Sequence, residues 1–161
     1  MFANAIAINQ FQLGLFDRVV ADIAPETLFT PSTGHGHPPV WILGHLALTG
    51  EMGSQLLGGG ITHRHWLPLF GPGSSDQIAP RPDLDRELLA AAIRTAYRAL
   101  HELAAAADPA LLAAPHGIQL FRGTPIQTVG CAVELLLTNH FGFHLSQLSG
   151  CRRAAGHGPL F

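Results

Sequence analysis

Charged side chains are scarce in this 161-residue chain: Asp, Glu, Lys and Arg together make up 12%, about half the roughly 25% usual in soluble domains. Nine Lys+Arg against 11 Asp+Glu leave a formal charge of −2. No basic stripe emerges beyond Arg152-Arg153, so electrostatics give no support to nucleic-acid binding. Long apolar runs are missing too. Asn9, Gln10, Asp17 and Arg18 interrupt the first apolar segment and His140 interrupts the last, so neither reaches the roughly 18 residues that argue for a membrane span. Met1-Phe2-Ala3-Asn4 places no basic segment ahead of its apolar residues, unlike a secretory signal, and the expected location is the cytoplasm.

Several catalytic signatures are also absent. There is no Ser-His-Asp order and no Cys-x-x-Cys, and Gly58-Gly59-Gly60 lacks the lysine and flanking strand of a phosphate-binding loop. The two cysteines, Cys131 and Cys151, both fall in the predicted last helix. A rise of 1.5 Å per residue separates them by about 30 Å, too far for a disulfide within one subunit. They are expected to pack as small apolar residues rather than to act as nucleophiles.

What the chain does have is apolar surface: 47% hydrophobic residues and a mean hydropathy of +0.25. Its length suits one domain, 1–161, with one core, and the excess apolar area is most simply covered in a homodimer. The periodicity is helical throughout, with no strand pattern. A first helix spans about 2–22 and ends ahead of Pro25, with Ile6, Leu13, Phe16 and Val20 on its apolar face. A second runs from about Pro39 to Leu57, with Trp41, His45, Leu48 and Met52 as its inner stripe. A Gly- and Pro-rich connection of about 25 residues follows, long enough to cross the length of a bundle and start the third helix in the same direction as the second. The third helix covers about 83–107, with Leu84, Leu88, Ile93, Leu100 and Leu103 on apolar positions. Thr124-Pro125 reads as an N-cap and first-turn proline opening a fourth helix to about Arg153. The expected class is all-α, a four-helix bundle.

The inner stripe of the fourth helix is Val129, Val133, Leu136, Leu137, His140, His144, Leu148 and Cys151. His140 and His144 are four residues apart, so their imidazoles share one face about 5–6 Å apart at Cβ, close enough to chelate one divalent ion. His45 occupies an inner position on the second helix. Three neutral imidazoles from two helices would leave coordination positions open, the arrangement of catalytic rather than structural zinc sites. Each of these histidines has an ordinary alternative as a core residue satisfied by a backbone carbonyl. Gln147, one turn beyond His144, is placed to support a ligand or to bond the backbone of the first helix. Trp41, one turn before His45, is a core anchor that can also wall a ligand pocket. His35-Gly36-His37 and His63-Arg64-His65 are loop pairs, expected to be solvated or to line the mouth of a site. His101, His116 and His157 are expected at the surface or in packing. Glu51 and Glu134 are the carboxylates that the second and fourth helices could bring near the core as a general base; both are expected at the surface or an interface.

Trp41-Ile42-Leu43-Gly44-His45-Leu46-Ala47 together with His140-x-x-x-His144-x-x-Gln147-Leu148-x-x-x-Arg152-Arg153-x-x-Gly156 resembles the DinB-like (DinB/YfiT) superfamily of bacterial four-helix-bundle metalloproteins. The similarity extends over nearly the whole chain. It implies an up-down-down-up bundle, commonly dimeric, with a divalent ion held by His45, His140 and His144. It also implies metal-dependent thiol transfer or isomerisation with low-molecular-weight thiols such as bacillithiol or mycothiol. Ser146 stands where relatives often carry glycine. The expectation is a metal-dependent transferase or hydrolase using Zn²⁺ or Ni²⁺ and a small-molecule substrate, possession of a thiol cofactor being part of the resemblance. The alternative class is a non-catalytic stress or sensor bundle that binds a metal or small ligand.

Overall fold

The computed structural model describes residues 1–31 and 36–160, and its long elements are all helical. They are the first helix, Ala3–Ala21, the second, Pro39–Leu56, the third, Arg86–Ala106, and a last helical run over 129–154. Shorter helical pieces, Leu67–Phe70 and Pro109–Ala113, lie in the connections. Among the described residues there is no strand, only an isolated bridge between Pro115 and Thr128. No helix there is long and apolar enough to cross a membrane.

The second helix is the centre of the bundle. Every residue from Pro39 to Glu51 is buried, and so are Gly53 and Ser54, so the four-residue inner stripe expected from periodicity is too narrow. A helix that is apolar on all sides belongs in the interior. The third helix packs closest against it, because Gly50 and Gly53 leave room: a Cβ at Gly50 would lie 3.0 Å from Ala96 and Tyr97, and one at Gly53 would lie 2.9 Å from Leu100. The first helix packs mainly on the last one. There Phe141, fully buried, meets the ring of Phe16 edge-on at 6.2 Å and that of Tyr97 at 4.8 Å. Burial of one such side chain contributes about 1.5–3 kcal/mol, and it anchors the residue immediately after His140.

Three local expectations need correction. The last helix begins at Val129, not after Thr124: the Thr128 hydroxyl caps it by accepting from the Cys131 N–H, while Thr124 turns back on Phe121 and Ile126. The third helix is capped by Asp85, which accepts from the Leu88 N–H at 2.7 Å. Asp83 instead accepts from Nε and Nη2 of Arg81, each at 2.7 Å. Leu88, on the expected apolar face, is 40% exposed because that face begins at Leu89.

The connection over 57–85 is not a bare loop. Trp66 and Phe70 are buried, and the Phe70 ring seats directly over Gly44, where a Cβ would come within 2.4 Å of it. That close approach brings the Phe70 backbone to the second helix beside His45.

Candidate metal centre

His45 projects from the buried second helix, and His140 and His144 from the last. The structure brings the three together: one nitrogen of each lies within 4.8 Å of the others, with His45 and His144 buried and His140 partly buried. Ring centroids are 5.2 Å apart for His45–His140, 4.9 Å for His45–His144 and 4.7 Å for His140–His144.

Hydrogen bonds decide which nitrogens are free. His45 Nδ1 donates to the Phe70 carbonyl at 2.7 Å, because a carbonyl only accepts; its Nε2 therefore carries the lone pair. His144 Nδ1 pairs with Gln147 Oε1 at 2.7 Å, which likewise leaves Nε2 of His144 with the free lone pair. A partner on the far nitrogen that fixes tautomer and ring angle is the usual support of a metal-ligating histidine. His45 Nε2 and His140 Nε2 face each other at 3.3 Å. Two nitrogens bound tetrahedrally at about 2.05 Å to one ion would stand about 3.3–3.4 Å apart, so this edge already has the spacing of a chelate.

The imidazoles are neutral, as ligands must be. Burial, together with the neighbouring imidazoles of His144 and His45, pushes His140 down to about 3. Burial pushes His144 to about 4, with His45 adding to the effect and the Gln147 bond opposing it. Burial likewise lowers His45, against the opposing bond to Phe70. His140 Nδ1 is buried without a hydrogen-bond partner, which makes its ring the least constrained of the three.

Aromatic stacking sets one side of the site. Trp41 lies flat on His45, centroids 4.5 Å apart and planes at 13°, and His37 stacks on the other side of Trp41 at 3.9 Å. The indole N–H donates to Ser74 Oγ at 3.0 Å, which fixes the Trp41 ring. His35 lies outside the described residues.

On another side His45 and His140 border a cavity of about 490 Å³. Its walls include Met52, Leu56, Ile118, Phe121, Leu136 and Phe143; besides the two histidines its polar groups include Thr49, Gln55, His116 and Asn139, and among the described residues no Asp, Glu, Lys or Arg lines it. Sequence reasoning missed the contribution of 116–121. The signal was the flanking turn glycines, since Gly117 and Gly123 hold positive φ of 70° and 77° and fold that segment back over the last helix. His116 offers no free nitrogen: Nε2 donates to the Ile126 carbonyl and Nδ1 accepts from the Ile118 N–H.

Other residues lie elsewhere. Glu51 is buried, not at a surface, and accepts from the His63 backbone N–H at 2.9 Å and from His63 Nδ1 at 2.6 Å. His63 therefore does not line the mouth, and His65 is exposed. Glu134 is exposed, as expected. Cys151 packs in the core, whereas Cys131 is exposed. Among the described residues, His45, His140 and His144 are the group of His, Cys, Asp and Glu side chains placed to hold a metal ion.

Comparison with known proteins adds one finding. The model of the DinB superfamily matches residues 10–148, which include all three histidines and Gln147. No curated protein and no solved structure matches the chain.

Proposed function

The chain belongs to the DinB superfamily, and from that premise we propose that it is a divalent-metal-dependent enzyme that joins a thiol to an apolar electrophile. The observation that carries this reading is the three-imidazole group beside an apolar cavity, with His45 and His140 common to both. His45, His140 and His144 hold the ion, Zn²⁺ or Ni²⁺ being the candidates that suit an all-imidazole set. When bound, the ion supplies Lewis acidity that favours the anionic form of a nucleophile at neutral pH.

The protein's own groups do the rest. The Phe70 carbonyl and Gln147 hold two imidazoles in the tautomer that presents Nε2. Trp41 walls the site and keeps bulk water from the His45 side. Met52, Leu136 and Phe143 receive the apolar body of the substrate, while Gln55 and Asn139 are positioned to orient a polar substituent.

Thiol transfer fits better than hydrolysis. Among the described residues the cavity lining contains no carboxylate to take a proton from water, and the buried carboxylate of Glu51 is committed to His63. A thiol, with a pKa near 8.5, loses its proton far more readily than water does. The lack of charge in the lining favours an uncharged electrophile; the charged parts of a low-molecular-weight thiol would stay at the solvent-exposed mouth.

The test begins with elemental analysis of protein purified without a polyhistidine tag. About one equivalent of metal, absent from a His140→Ala/His144→Ala variant, supports the centre, and none in the wild type sinks it. Low-molecular-weight thiols are then screened against apolar electrophiles with and without added metal. Metal-dependent consumption of thiol supports transfer, whereas metal-dependent hydrolysis of esters or amides with no thiol requirement replaces it.

A further inference from the structure

The last helix is not a uniform α-helix. A π turn, Leu136–His140, lies between the α-helical segments Val129–Leu135 and Phe141–Ala154, so His140 is the residue on which the wide turn ends. A π turn holds an extra residue, which rotates everything beyond it relative to a regular helix and weakens the backbone ladder there. Such a turn needs external support.

That support comes from the first helix. Asn9, which has no exposed surface, donates from Nδ2 to the Leu137 carbonyl at 2.7 Å. Its other end, Oδ1, accepts from His101 Nε2 at 2.8 Å. Both assignments are forced, since a carbonyl can only accept and the amide oxygen can only accept. One turn further on, Gln12 Nε2 donates to the Thr138 carbonyl at 3.3 Å. Gly142 makes that approach possible, because a Cβ there would lie 2.8 Å from Gln12 Nε2.

We propose that Asn9, anchored by His101 and assisted by Gln12, is a brace that holds the π turn open and thereby sets the position of His140 in the three-histidine group. These are positioning residues; none touches the candidate metal position. A fully buried amide is costly to desolvate unless both of its ends are bonded, and the same space filled by leucine would satisfy the core. The two ends of Asn9 reach one carbonyl inside the π turn and one side chain of the third helix, which ties three helices together at the turn that carries His140. His140 is also the histidine whose far nitrogen has no partner, so its placement depends on backbone geometry more than that of His45 or His144.

As a statement about metal binding the proposal rests on the reading above, so the experiment carries two readouts. The probe is Co²⁺, titrated into metal-free full-length protein and followed by its visible absorption. Asn9→Leu and His101→Leu are compared with His101→Gln, whose amide can still donate to Oδ1, and with Val19→Ala, which loosens the same first helix away from the brace. Asn9→Leu is expected to weaken Co²⁺ binding about 10- to 100-fold and to shift the absorption band. His101→Leu follows in the same direction, and His101→Gln and Val19→Ala stay near wild type. Wild-type affinity and band in both leucine variants, at whatever thermal stability, would overturn the brace.

The second readout is amide hydrogen exchange over residues 138–144 in metal-free protein. Faster exchange there in His101→Leu than in Val19→Ala supports the brace even if Asn9→Leu does not fold, and equal exchange overturns it. Wild-type protein that takes up no Co²⁺ removes the metal reading alone, because the exchange comparison still decides the brace.

Discussion

Two Trp–His pairs in this molecule have nearly the same local geometry and opposite chemistry. His45 stacks on Trp41 at 4.5 Å and 13°, and His63 stacks on Trp66 at 4.1 Å and 18°. The difference lies in what faces the imidazole. His63 meets the buried carboxylate of Glu51, which accepts from its backbone and its ring, and the pair ties the 57–85 connection to the second helix. His45 meets a neutral carbonyl on one nitrogen and two other imidazoles on its remaining side. Stacking and burial alone therefore do not mark a ligand; a lone pair left over after all local partners are counted does.

The strongest way to sharpen this contrast is to remove ligands from one group and the carboxylate from the other. In His140→Ala/His144→Ala, bound metal is expected to fall from about one equivalent to none, with the helical circular dichroism spectrum retained. Metal retained in that variant would mean the ion sits elsewhere. Glu51→Gln should act in reverse: it weakens a buried charge-assisted bond and lowers stability by about 1–3 kcal/mol, read in a denaturant titration, with metal content unchanged. Loss of metal without loss of stability would place Glu51 in the candidate centre rather than in its neighbour.

Gly44→Ala probes the hinge between the two regions. The new methyl meets the Phe70 ring at 2.4 Å, and relief requires Phe70 and its carbonyl to move away from His45. Overpacking of this kind costs about 1–3 kcal/mol, and here it should also weaken metal binding, measured by competition with a chromophoric chelator. A stability loss with unchanged metal affinity would show that the Phe70 carbonyl does not orient His45.

How much of this was legible in the sequence follows from the kind of interaction involved. The all-α class was readable because the apolar residues keep helical spacing over long segments, and the facing of His140 and His144 follows from a four-residue interval on one helix. That His45 meets them depends on tertiary packing, and the sequence supported it only through an inner-face position and a family resemblance. The fate of Glu51 was not readable: its partner, His63, arrives from a connection whose course no periodicity defines. The π turn did leave a trace. Val129, Val133, Leu137, Phe141 and Leu145 are all buried at intervals of four, and an α-helix of 3.6 residues per turn drifts by about 40° at each such step. A wide turn absorbs that drift. The third and last helices begin three to four residues later than expected because Asp83 and Thr124 are also good turn residues, and only the bonds they make distinguish them from the N-caps Asp85 and Thr128.

A smaller effect is expected from Gln147→Leu. The side chain is only partly buried and makes one bond to His144, so stability should change little. The loss of its hold on the His144 tautomer should weaken metal binding about 10- to 100-fold. His63 has no counterpart to this variant, since its partner is a carboxylate within the core. Unchanged affinity would leave Gln147 outside the candidate centre.

The smallest expected effect separates the two regions by pH alone. His140 and His144 are held near 3 and 4 in the folded chain, below the ordinary value near 6.5 that they regain on unfolding. Below about pH 6.5 the unfolded chain therefore binds protons that the folded chain refuses, and stability falls as pH drops toward the folded values. Above pH 6.5 both states are neutral and this contribution is flat. His140 is partly open to the cavity, so water screens part of the effect, and the slope should be modest. Denaturant titrations of metal-free protein between pH 7 and pH 4.5 should show that slope in the wild type and a shallower one in His140→Ala/His144→Ala. Glu51→Gln should shift the curve down without removing the contribution of the three imidazoles. Parallel curves for wild type and the double variant would mean that burial of these imidazoles does not depress their protonation, and the case for ready-made neutral ligands would fail with it.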